Sequence, residues 1–88
     1  SDMPERSLYT SHLSTTAAAF VVSLPKRKQL AVLDLADQLA RYPFRVGDYR
    51  MEDASGRTTE NLLIDGFLFT YWVDHAAREV RIVEIVKV

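Results

Sequence analysis

The sequence predicts an α+β domain: an N-terminal strand and an αα-hairpin packed on a twisted, mainly antiparallel sheet of four further strands. Three observations carry this reading. A leucine-rich stretch with helical spacing fills residues 26–41. After Pro43 the spacing of apolar residues drops to the two-residue period of strands. The dipeptide Asp65-Gly66 then separates two strand-like runs, a strong short-range signal for a hairpin.

Taken in order, Ser7–Leu13 alternates Leu8, Thr10 and His12 against Tyr9, Ser11 and Leu13, and reads as a short strand. Ser14, Thr15 and Thr16 supply N-cap hydroxyls for a helix over Ala17–Leu24, in which Phe20 and Leu24 share a face. Pro25 ends that helix near Ser23 or Leu24 and suits the start of a second one. The second helix spans Lys26–Arg41, with Leu30, Leu33, Leu35, Ala36, Leu39 and Ala40 as its core stripe and Asp34, Asp37, Gln38 and Arg41 facing water. Tyr42-Pro43 stops it.

Four strands follow, over Asp48–Asp53, Thr58–Asp65, Phe67–Asp74 and Glu79–Val88. In the last, Val80, Ile82 and Val86 are expected on one face, Val83 and Ile85 on the other. Both faces of the last two strands carry apolar residues, so the sheet face away from the helices is expected to meet a partner.

The 88 residues allow one domain. Ser1-Asp2-Met3 reads as a cloning scar and a start methionine, leaving residues 4–88 as the domain. Eleven Lys and Arg against twelve Asp and Glu, a net charge of -1, lack the basic excess of most nucleic-acid binders. No cysteine is present, which excludes disulfides, thiolate metal sites and cysteine nucleophiles. No apolar run reaches the roughly 18 residues of a membrane span, so no membrane role is expected and the cytoplasm is the default location. The two histidines, His12 and His75, lack metal-ligand spacing, and Gly47, Gly56 and Gly66 are too isolated for a phosphate loop. No metal and no cofactor are expected.

The run Ala19-Phe20-Val21-Val22-Ser23-Leu24-Pro25-Lys26-Arg27, with the later Leu39-Ala40-Arg41-Tyr42-Pro43, resembles the helical hairpin of the RelE/ParE superfamily of bacterial toxins. Gly66-Phe67-Leu68-Phe69-Thr70-Tyr71-Trp72-Val73-Asp74, followed by a Val/Ile-rich strand, resembles that family's closing strands. The resemblance runs from about Leu8 to Val88. It implies a toxin neutralised by a cognate antitoxin protein, acting on translation (ribosome and mRNA) or on DNA gyrase, with a non-toxic structural relative that serves as a protein-binding module as the further alternative. An antitoxin or a second copy of the chain would complete so small a core.

The resemblance also implies a nuclease site in which an arginine opens the strand that holds Tyr71. Leu68 stands at that position, and the basic C-terminal tail of the active nucleases is absent from Val86-Lys87-Val88. The balance therefore leans away from an enzyme. If the chain is an endoribonuclease, Arg50, Arg57, Arg81 and Tyr71 are the catalytic candidates, because phosphate chemistry needs cations and a group that moves a proton. Lys26, Arg27, Lys28 and Lys87 are the candidate nucleic-acid contacts. The plainer reading pairs the strand cations with Glu52, Glu60, Glu79 and Glu84, and treats Lys26-Arg27-Lys28 as a solvated helix start, an unfavourable place for positive charge. Tyr71 and Trp72, adjacent on a strand, must point to opposite faces, so at least one belongs to the core or to an interface.

Overall fold

A computed structural model describes residues 8–88. The strand β1 covers Thr10–Leu13, helix α1 Thr15–Val22 and helix α2 Lys26–Arg41. The strands β2 (Tyr49–Glu52), β3 (Thr58–Ile64), β4 (Phe67–Asp74) and β5 (Glu79–Lys87) follow. All seven expected elements form, in the expected order. The expected scar at residues 1–3 and the Ser7 end of the first strand lie outside the described residues.

Local chemistry sets the element ends. The Ser14 hydroxyl accepts the Ala17 N–H at 3.0 Å, which caps α1. The Gln29 side chain donates to the carbonyls of Leu24 (2.9 Å) and Val22 (3.3 Å), tying the end of α1 to the second turn of α2. Asp65 (φ 51°) and Gly66 (φ 82°) are both left-handed, as a type I′ hairpin turn requires.

The strands make one five-stranded sheet in the order β1-β5-β4-β3-β2. Strands β2 to β5 are antiparallel neighbours, and β1 joins β5 in parallel. The two helices lie on one face, α1 over β5 and α2 over β1 and β5. Ala17, Val32, Leu39, Phe69, Tyr71, Val80, Ile82 and Ile85 fill the space between and are almost fully buried. Each large side chain among them contributes about 1.5–3 kcal/mol by leaving water.

Two expectations need correction. The register of β4 with β5 slips between Thr70 and Tyr71, which pair with Glu84 and Ile82 and leave Val83 as the extra residue of a β-bulge. The bulge resets the alternation. Ile85 therefore joins Val80 and Ile82 in the core, and Val86, expected with them, points to the opposite face. Ser14 fixes this irregularity: its N–H donates to the Ile82 carbonyl at 2.9 Å and its hydroxyl to the Val83 carbonyl at 2.5 Å. In α2 the core stripe is Val32, Leu35, Ala36, Leu39 and Ala40. Leu30 and Leu33, placed in that stripe by the sequence, are 60% and 39% exposed, because the helix turns the side centred on Val32, Leu35 and Leu39 towards the sheet.

Candidate functional site

Two surfaces remain where side-chain chemistry gathers. The first is the sheet face opposite the helices. Registers place its side chains in rows across the strands. One row is apolar, Leu63–Leu68–Val86. The next is Tyr49–Asn61–Thr70–Glu84, in which the Thr70 hydroxyl donates to Asn61 Oδ1 at 2.7 Å. A further row runs Trp72–Arg81–His12. The Arg57 guanidinium lies 4.0 Å from the Trp72 ring centroid and that of Arg81 5.9 Å, so the indole sits within reach of two cations. Glu79 holds Arg81 (2.5 Å) with one oxygen and His12 (3.0 Å) with the other. Tyr49, Met51 and Leu63 are each about half exposed on this face. Thr59 and Asn61, between these exposed side chains, are buried.

The second surface is a groove of about 400 Å³ by the loop that follows α2, and it extends to Arg57 and Trp72 of the first surface. Phe44, Arg45, Arg50, Glu60, Val73 and His75 line it. Glu60 organises its floor. Its Oε1 accepts the Gly47 N–H and its Oε2 the Arg50 Nε–H, both at 2.8 Å. Gly47 is required there, because a Cβ would stand 2.9 Å from the backbone N and O of Asn61. At the other end the Phe44 and His75 rings stack at 4.9 Å, and the Tyr9 hydroxyl lies 2.8 Å from His75 Nδ1. Tyr71 neighbours Glu60 in register on the same face. Its side chain is 1% exposed and its hydroxyl has no hydrogen-bond partner among the described residues. Burial raises the Tyr71 phenol above its ordinary value, and Glu60 and Asp48 add to this while Arg45 opposes it. Such a phenol stays protonated near neutrality and does not reach a ligand from solvent.

The sequence-derived candidates are therefore divided. Arg50 is bound to Glu60 on the helix side and Arg81 to Glu79 on the open face, which is the pairing the plainer reading expected. Arg57 also lines the groove, while its guanidinium rests on Trp72. Tyr71 is core, and Trp72 is its opposite-facing neighbour. These four candidates do not converge on one point. Lys26, Arg27 and Lys28 form the first turn of α2 with no acidic residue beside them in that turn, and Lys87 closes β5 across from Phe67. No cluster of metal-ligating side chains occurs among the described residues. Sequence reasoning missed Arg45 and the double anchoring by Glu60. A lone arginine after Pro43 and one of several strand glutamates carry no spacing that would mark them.

No family profile matches the chain, and no curated protein sequence matches it significantly. Solved structures do. A chain of the RelBE2 toxin–antitoxin complex from Mycobacterium tuberculosis superposes with a TM-score of 0.75 at 27% identity, over 91% of both chains. The chain has a RelE-like toxin fold. The archaeal RelE–RelB complex from Pyrococcus horikoshii OT3 gives a TM-score of 0.64 at 18% identity, over 90% of this chain and 93% of that one. The intact Escherichia coli RelBE complex gives 0.58 at 14%, over 91% and 96%. Two helices on a five-stranded mixed sheet are the shared RelE-like architecture. On it, Leu68, which stands where the resemblance expects an arginine, lies between Leu63 and Val86 in the apolar row of the open face. No helix among the described residues is long and apolar enough to cross a membrane.

Proposed function

We propose that the chain is the toxin of a toxin–antitoxin pair, that it works in the cytoplasm by inhibiting translation, and that an antitoxin protein neutralises it by covering the open sheet face. The observation that carries this reading is the likeness to a chain of the RelBE2 complex, which extends over nine-tenths of both partners at 27% identity. The open face supports it. Tyr49, Met51, Leu63 and Val86 are exposed on a sheet whose other side is a closed core, and exposed apolar surface of this kind marks protein contact.

Inhibition without cleavage fits the division of the four catalytic candidates better than nuclease chemistry does. Proton transfer needs a group within hydrogen-bond reach of the substrate, and the Tyr71 hydroxyl is sealed in the core. Induced expression should arrest growth, and co-expression of the product of a neighbouring open reading frame should relieve the arrest. A purified translation system should stall with its message intact, while DNA supercoiling by gyrase continues. Sustained growth at a verified level of folded protein would overturn the toxin reading. Defined cuts in translated messages would replace inhibition by the nuclease alternative, and loss of supercoiling would move the target to gyrase.

A further inference from the structure

The exposed side of α2 bears a pattern that neither the core nor the open sheet face uses. Lys26, Leu30, Leu33 and Asp37 follow one another at spacings of four, three and four residues, the seam of a coiled coil. All four are exposed, Leu30 to 60% and Leu33 to 39%. Arg27 and Asp34 flank the seam on one side. None of these four charged residues makes an ion pair with a described residue. Lys26 and Arg27 moreover sit in the first turn, where the helix dipole disfavours positive charge.

The pattern is its own complement. A two-fold axis crossing α2 midway between Ala31 and Val32 exchanges position 30 with position 33, and position 26 with position 37. An antiparallel copy of the helix therefore sets Leu30 against the partner's Leu33 and Lys26 against the partner's Asp37. It also brings Arg27 alongside the partner's Asp34, since equivalent flanking positions meet across an antiparallel seam. A parallel copy would instead oppose Lys26 to Lys26 and Asp37 to Asp37, a repulsive arrangement. Val22, 71% exposed and tied to α2 through the Gln29 bond to its carbonyl, adds apolar surface beside the seam.

We propose that the outer face of α2 is a self-association surface, and that its occupant is a second copy of this chain packed antiparallel about that axis. The contact is isologous, each patch serving both subunits. Two leucines per chain make a small apolar centre, so the dimer is weak and concentration-dependent, and the charge pairs set its register more than its strength. It stands apart from the toxin reading, because it uses neither the open sheet face nor the groove.

Sedimentation velocity on the whole chain, over a series from about 1 to about 200 μM, reads the dissociation constant directly. The chain should pass from monomer to dimer within that range. Leu30→Glu should leave a monomer throughout, and Asp37→Lys should weaken the dimer about tenfold or more. The double variant Lys26→Asp/Asp37→Lys should restore it, because it reverses both ends of the same pair. All three positions are exposed, so the fold should survive, and circular dichroism checks that it does. A monomer across the whole series, a dimer indifferent to Leu30→Glu, or a double variant no better than Asp37→Lys alone would each overturn the proposal. So would a monomeric chain in which Leu30→Glu abolishes capture of the antitoxin, since the face would then belong to that partner.

Discussion

The two faces of the sheet are built from the same five strands and differ in nearly everything else. Under the helices, β4 buries Phe67, Phe69 and Tyr71, and β5 buries Val80, Ile82 and Ile85. On the far side the same two strands present Leu68, Thr70, Trp72, Arg81, Glu84 and Val86, a mixture of apolar, aromatic and charged groups. The closed face spends its chemistry on holding the fold. The open face keeps polar groups satisfied within the sheet, as Thr70 does with Asn61, while leaving apolar side chains in water. A chain of 88 residues has little apolar surface to spare, so carrying it uncovered points to recognition rather than to stability.

Substitutions on the two faces should separate these roles. Phe69→Ala, at a fully buried position, should cost about 3–5 kcal/mol in chemical denaturation, enough to unfold a small domain. Gly47→Ala should cost about 1–3 kcal/mol, because the new Cβ meets the Asn61 backbone, which has no room to retreat. Ser14→Ala should cost about 0.5–2 kcal/mol through loss of the α1 cap, and should also loosen the bulge at Val83, which amide exchange in β5 would report.

Tyr71→Phe should change stability by less than about 1 kcal/mol near neutrality, since the hydroxyl it removes has no partner among the described residues. Its effect belongs to alkaline pH. The folded phenol holds its proton more tightly than the unfolded one, so wild-type stability from this group is complete below the ordinary value of 10.0. That stability is lost as pH rises from there through the raised folded value. Urea denaturation across this range should show a steeper alkaline decline for the wild type than for the Phe variant. Smallest in stability, and most telling, is Met51→Lys on the open face. It should leave the denaturation midpoint within about 0.5 kcal/mol of wild type while reducing antitoxin binding in a pull-down. If Met51→Lys unfolded the protein, or Phe69→Ala did not, the contrast between the faces would fail.

Element identity was legible because each signal is local. Pro25 and Pro43 punctuate the helices, Asp65-Gly66 makes the hairpin, and strand alternation needs only neighbours to be read. What escaped was non-local. The bulge in β5 depends on the pairing of Tyr71 with Ile82 and on Ser14 capturing the Val83 carbonyl, residues far apart in the chain, and nothing near Val83 announces it. Leu30 and Leu33 fit a helical stripe as well as Leu35 and Leu39 do, and only the docking of α2 on the sheet decides which stripe is inside. The candidate site was legible as residue types but not as a place. Arg50, Arg57 and Arg81 were recognisable as strand cations, whereas their partners and the face each occupies followed from register.

The parallel pairing of β1 with β5 has a consequence for how the molecule comes into being. Among the described strands β1 pairs only with β5, the one furthest from it along the chain, with Thr10 opposite Glu79 and Leu13 opposite Ile82. Contacts that span so much of the chain form late and set the pace of folding. While β5 is still being translated, β1 has no strand to pair with, the Ser14 hydroxyl has no bulge carbonyl to grip, and α1 lacks the strand it packs on. The helical hairpin and the β2–β4 meander can precede that moment, but the complete sheet cannot. The five-stranded sheet therefore closes only once β5 has emerged, and any activity that needs the whole sheet begins only then.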